Sequence, residues 1–248
     1  MGRLSNKAII VTGASTGLGE AMARAICAAG ARVVLTARGA EKGEAVAAEL
    51  CSRGGQALFI THDVTSEASW RRMLEHAEAA HGAPDGLVNN AGGGIGRPLG
   101  ELTLAEFRSV HQLNLHGTFL GMKLGSQVMQ AKGGVMINLG SVGSFTGFPG
   151  GAAYCASKGG VLGLSRATAG RARPNNIRVH TLLPGRFMTE IMRKGAPPEV
   201  RQAQMAAHPM RRFGDPAELG EPVIFLLSDE AAGLDGVEWV LDGGQALG

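Results

Sequence analysis

The chain has 248 residues, 44% of them hydrophobic, enough to bury one large core at a length that a single α/β domain commonly reaches. No apolar run approaches the ~20 residues that cross a bilayer, and the stretch Ala8 to Val11 is too short for a signal-peptide core. The net charge of +3 comes from dispersed basic residues; with 4% aromatics and no basic stripe interleaved with stacking side chains, nucleic-acid binding is excluded. In chain order, short β-branched runs predict strands at Ala8 to Thr12, Arg32 to Ala37, Ala57 to Thr61, Gly86 to Asn89, Val135 to Leu139, Ile177 to Leu183 and Val237 to Leu241. Between them, amphipathic or Ala-rich segments predict helices at Gly17 to Ala29, Ala40 to Ser52, Ser66 to Ala80, Leu104 to Met129, Ala152 to Arg173 and Pro216 to Ser228. This alternation is the pattern of one doubly wound, Rossmann-type domain, a parallel seven-strand sheet with helices on both faces. Residues 185–214, with Pro197, Pro198 and Pro209, carry no clear element and read as a lid.

Two local patterns point to chemistry. Thr12-Gly13-Ala14-Ser15-Thr16-Gly17-Leu18-Gly19 joins the first strand to the first helix, where a glycine-rich turn lets backbone N–H groups approach a pyrophosphate at a positive helix end. A merely structural turn is the alternative. Tyr154 and Lys158 are four residues apart on one helix, so they share a face, and a neighbouring ammonium favours the phenolate and lowers the phenol pKa. Taken alone, a solvated surface pair is the commoner explanation. The widely spaced Cys27, Cys51 and Cys155 fit free thiols in the cytoplasm. His62, His111, His116, His180 and His208 lack metal-ligand spacing, so no metal is expected.

The glycine turn, Asn89-Asn90-Ala91-Gly92, Asn114, Ser141, the run Tyr154 to Lys158, Pro184-Gly185 with Thr189, and Leu241-Asp242-Gly243-Gly244 stand in the order seen in the short-chain dehydrogenase/reductase family. The chain resembles that family over residues 5 to 244. The resemblance implies a nicotinamide dinucleotide held by Gly13, Ser15, Thr16, Gly17, Leu18 and Gly19, by Asp63 and Val64 at the adenine, and by Asn90, Ala91 and Gly92. Pro184, Gly185 and Thr189 would lie on the nicotinamide side. It also implies a catalytic tetrad: Ser141 as hydrogen-bond donor, Tyr154 as general acid/base, Lys158 lowering the Tyr154 pKa and holding the ribose, and Asn114 seating a water. At the end of the second strand, Ala37 replaces the acidic residue of NAD-binding members and Arg38 offers a fork to a 2′-phosphate. NADP(H) is therefore expected over NAD(H), although Thr16 lacks the second basic charge of many NADP-binding relatives. A homotetramer built on helices 104–129 and 152–173 is also implied, with Gly121, Gly125, Gly163 and Ala167 allowing close approach. Three segments depart from the family pattern: His180, Ala169-Gly170-Arg171 and Gly233-Leu234-Asp235-Gly236.

The substrate is expected among the residues after Ser141, Gly93 to Arg97, and the lid residues Phe187, Met188, Met192, Met205 and Met210. A Met-rich lining favours a hydrophobic ketone or secondary alcohol, cyclic or aryl, over a sugar or a small acid, and core filler beneath a loop is the equal alternative. A 3-oxoacyl thioester reductase, its acidic carrier met by Arg193, Lys194, Arg211 or Arg212, is a second enzyme reading. A non-catalytic NADP(H)-binding regulator is a third.

Overall fold

The computed structural model describes residues 2–195 and 197–247. Seven parallel strands, β1 (Ala8–Thr12), β2 (Arg32–Ala37), β3 (Gln56–Thr61), β4 (Gly86–Asn89), β5 (Gly134–Leu139), β6 (Ile177–Pro184) and β7 (Glu238–Leu241), form one sheet in the order β3-β2-β1-β4-β5-β6-β7. Every residue of β1 and β6 is buried, as a sheet covered on both faces requires. Alternation along β1 divides the core. Ile9 and Val11 pack with α1 (Gly17–Ala28), α2 (Ala40–Ser52) and α9 (Gly220–Leu227). Ile10 packs with Trp70, Met73 and Leu74 of α3 (Glu67–His81) and Met122 and Met129 of α5 (Gly117–Met129). Trp70 is fully buried, and its indole N–H finds the Val64 carbonyl at 2.9 Å, so the polar atom of a large apolar anchor is satisfied.

Chain order reverses between β1 and β4, and their carboxyl ends diverge there to open a crevice, the usual ligand position in such sheets. Thr12 ties the two ends together. Its hydroxyl donates to the Val88 carbonyl at 3.3 Å and accepts from the N–H groups of Asn90 and Ala91, each at 3.0 Å.

Four expectations change in detail. The helix expected over 104–129 is α4 (Leu104–His111), a π-turn at Gln112–His116 and then α5. The helix α6 (Ala152–Thr168) stops short of Arg173 because Gly170 takes φ 69°. The segment from Pro216 begins as a single 3₁₀ turn before α9. Within the stretch expected as a loop lie α7 (Glu190–Gly195) and α8 (Pro198–Ala207). Pro198 opens α8 at the first helical position, where its missing N–H costs nothing. The lid is pinned at its base, Gly214 N–H to Arg186 O and Met188 N–H to Gly214 O, both 2.9 Å.

The three departures from the family pattern meet in space. The Asp235 carboxylate accepts from Gly170 and Val179 N–H, and His180 lies against Arg178 and the Val237 N–H. They act as one mutually supporting joint between α6, β6 and β7.

Candidate active site

The glycine turn is shaped by contact. Gly13 has φ 64°, and a Cβ added there would lie 2.9 Å from the Ala91 Cα. At Gly19 a Cβ would meet the Gly13 carbonyl and the Asn90 amide, which itself donates to the Thr12 and Gly13 carbonyls at 2.8 and 3.1 Å. Only glycine lets α1 start this close to the β4 end. The result is a cleft of about 420 Å³ lined by Gly13, Ser15, Thr16, Gly17, Leu18, Gly19, Arg38, Val64, Asn90, Ala91, Gly92, Tyr154, Lys158, Pro184, Gly185 and Thr189. All are residues expected from the sequence. Asp63 is not among the lining; its Oδ1 accepts from the N–H and hydroxyl of Thr65 at 2.9 and 2.8 Å. Those bonds, with the charge of Arg38, hold its carboxyl below the usual range. His62, Leu113, Gly140 and Glu190 also line the cleft. Sequence reading missed them because each sits beside a motif rather than in it.

Ser141 leaves β5 as the cap of a short 3₁₀ turn, Val142–Ser144. Its oxygen accepts from Gly143 N–H at 3.1 Å, which leaves the hydroxyl proton to be donated into the cleft. The Tyr154 phenol and the Ser141 hydroxyl line the same part of the cleft. Lys158 is buried one turn further along α6, its ammonium 2.6 Å from the Leu139 carbonyl oxygen and 5.9 Å from the Tyr154 ring centroid.

This geometry revises the expected electrostatics. Burial raises the Tyr154 pKa above its ordinary value, outweighing the lowering by the Ser141 hydroxyl, and the Lys158 ammonium is directed to a backbone carbonyl instead. Burial also lowers Lys158, to about 8. The phenol is thus held protonated, the form an acid needs.

Asn114 sits in the π-turn, fully buried. Its amide donates to the Gly93 carbonyl and to Ser157 Oγ, both at 2.8 Å, and its oxygen accepts from Gly93 N–H at 2.9 Å. A side chain at Gly92 would come 3.0 Å from Asn114 Oδ1 and 3.3 Å from Lys158 Nζ, so these two groups flank the same glycine.

A second cavity of about 810 Å³ adjoins the first, and both are lined by Leu18, Ser141, Tyr154, Gly185 and Thr189. Of the expected lid residues, Phe187 and Met192 reach it, whereas Met210 lines a separate pocket and Met188 and Met205 line neither. Gly94 packs against the Tyr154 ring, and Arg97 is turned to Glu106 at 2.7 Å. Val142, Thr146, Phe148, Pro149, Arg186, Gln204 and Gln245 complete the wall.

A family model described as Enoyl-(Acyl carrier protein) reductase matches residues 13–246. The chain is 36% identical over 246 residues to the NADP-dependent (R)-specific alcohol dehydrogenase of Lentilactobacillus kefiri, covering 98% of this chain and 97% of that protein. To the cyclopentanol dehydrogenase of Comamonas testosteroni it is 35% identical over 247 residues, covering 98% of each. The crystal structure of a short-chain type dehydrogenase/reductase from Mycobacterium marinum superposes with a TM-score of 0.93 at 33% identity, covering 98% of this chain and 96% of that one. Because one third of the residues agree over almost the full length of both chains and the fold agrees with them, the chain belongs to the short-chain dehydrogenase/reductase family.

Proposed function

We propose that the protein interconverts a ketone and a secondary alcohol with NADP(H), using Tyr154 as the general acid/base. One observation carries this reading: Ser141 and Tyr154 form the shared wall of the dinucleotide-sized cleft and the second cavity, where a carbonyl oxygen can meet both hydroxyls. The cleft suits the cofactor, with glycine backbone at a helix start, no acidic side chain at the end of β2 and the exposed Arg38 beside it. The bound dinucleotide supplies the hydride. The protein's part is to place the carbonyl and manage the proton. Ser141 donates a hydrogen bond to the substrate oxygen, Tyr154 passes it a proton, and oxidation reverses the transfer. Lys158 and Asn114 flank Gly92 behind Tyr154, where they support the ribose and proton return.

The names of the relatives above, alcohol dehydrogenases for NADP and for a cyclic alcohol, agree with this reading. A carrier-bound acyl substrate draws less support, since Lys194 is paired with Glu190 and Arg212 with Glu218, each at 2.6 Å. The free thiols of Cys27, Cys51 and Cys155 suit the cytoplasm.

Purified protein assayed on a panel of ketones should turn over with kcat/KM for NADPH above that for NADH, and Arg38→Asp should reverse the order. Tyr154→Phe should lose on the order of 10²–10⁴-fold in rate. An inactive wild type, or one that prefers NADH, would refute the corresponding part.

A further inference from the structure

We infer that the substrate carries an anionic group, of the carboxylate kind, received by the Arg186 guanidinium; this rests on the ketone and alcohol reading above. Most of the second cavity is apolar, with Leu18, Val142, Phe148, Pro149, Phe187 and Met192 on its wall. Its polar groups divide into those already satisfied and those not. The Thr146 hydroxyl donates to the Val142 carbonyl at 2.9 Å, and Gln245 Oε1 accepts from the Arg186 N–H at 3.0 Å. Arg186 therefore has its backbone fixed on both sides, by Gln245 and by the Gly214 N–H on its carbonyl. Its guanidinium, by contrast, makes no hydrogen bond or ion pair with the described residues. Gln204 Oε1, on α8, is buried and likewise has no partner among them.

Arg186 also borders the neighbouring pocket that carries Glu218 and Asp242, but Glu218 is paired with Arg212 and Asp242 accepts from the Gly244 and Ala246 N–H groups, so the half-buried cation lacks the compensation that buried charge needs. A ligand anion would supply it, and the planar guanidinium fork matches a carboxylate in two parallel bonds. The substrate that fits has a carbonyl or hydroxyl at Ser141 and Tyr154, an apolar spacer along Phe148 and Met192, and an acid group at Arg186. A donor on that substrate would also satisfy Gln204. This departs from the expectation of an apolar substrate: the spacer is apolar, but the far end is charged.

The test is kcat/KM with NADPH for methyl ketones bearing a terminal carboxylate two to five carbons away, each against its methyl ester. At the best spacing the acid should exceed its ester by about tenfold or more, as a charge-assisted hydrogen bond provides. Arg186→Gln should abolish that ratio and Arg186→Lys should restore part of it. Esters equal to acids at every spacing, or an unchanged ratio in Arg186→Gln, overturns the inference. Should no ketone turn over with either cofactor, the dehydrogenase reading falls separately, and calorimetric titration of the same acids and esters decides the anion site. Acid binding stronger than ester binding and lost in Arg186→Gln upholds it; equal binding overturns it.

Discussion

Lys158 shows how a residue proposed for the active site works against stability. The residue is 4% exposed, and the Leu139 carbonyl accepts from its ammonium. Burial holds its pKa near 8, below the 10.5 of a free lysine. Between those values the unfolded chain binds more protons than the folded one, so stability rises with pH across the window and the burial penalty is fully present below it. Lys158→Met should therefore be more stable than the wild type at pH 7, by up to about 3 kcal/mol, and inactive. The gap should close toward pH 10.5. Urea denaturation of both proteins between pH 7 and 10.5 measures it, and a constant gap would contradict the assignment. Tyr154 shifts the other way for the same reason: both groups prefer neutrality when buried. A neutral phenol beside the Ser141 hydroxyl, which accepts from the Gly143 N–H and keeps its own proton to donate, offers two donors to one substrate oxygen.

Among the elements, the π-turn between α4 and α5 matters most. One wider turn, Gln112–His116, places the Asn114 side chain between the loop after β4 and the start of α6. Such turns recur at functional sites because they redirect a single side chain without ending the helix. Asn114→Ala leaves the Gly93 N–H and carbonyl without their partners. It should cost about 1–3 kcal/mol in chemical denaturation, and kcat should fall as the Gly93 backbone and Ser157, beside Lys158 on α6, lose their tie. Full activity in that variant would show that the turn serves packing alone. The lid helices teach a related lesson. Pro197 and Pro198 read as breakers in sequence, yet Pro198 starts a helix.

Across the whole molecule, burial of titratable side chains sets the pH range. His62 and His180 are buried on opposite halves of the sheet, and burial lowers each to about 4. Unfolded histidines bind protons from about 6.5 downward, so their contribution to stability should fall as pH drops from 6.5 to 4 and level off below. Each histidine contributes up to about 3 kcal/mol. His180→Asn should flatten part of that acid limb in denaturation curves taken from pH 7 to 4. Assembly is legible at the same scale. Gly121 and Gly125 are occupied within the subunit, close to Asn89 and Leu87, whereas a Cβ at Gly163 meets open space and Phe119 is 47% exposed. The helical face around α5 and α6 is thus free to pair, and light scattering should report a tetramer; a monomer would remove this expectation.

By itself the sequence determined the seven strands, their parallel class and the glycine turn, because strand periodicity and turn chemistry are local; Ser141, Tyr154 and Lys158 stood out only through the resemblance to a family. Residues such as Gly13 are dictated by the few contacts one turn allows. Only the tertiary structure decided what depends on burial and distance. It set the direction of the Tyr154 shift, turned Lys158 toward Leu139, and engaged the Asp63 carboxylate with Thr65. It also joined His180, Gly170 and Asp235, which are far apart along the chain, into one joint, and it left Arg186 facing a cavity without a counter-charge. Desolvation and pairing belong to neighbours brought together across long stretches of chain, and no local pattern encodes them.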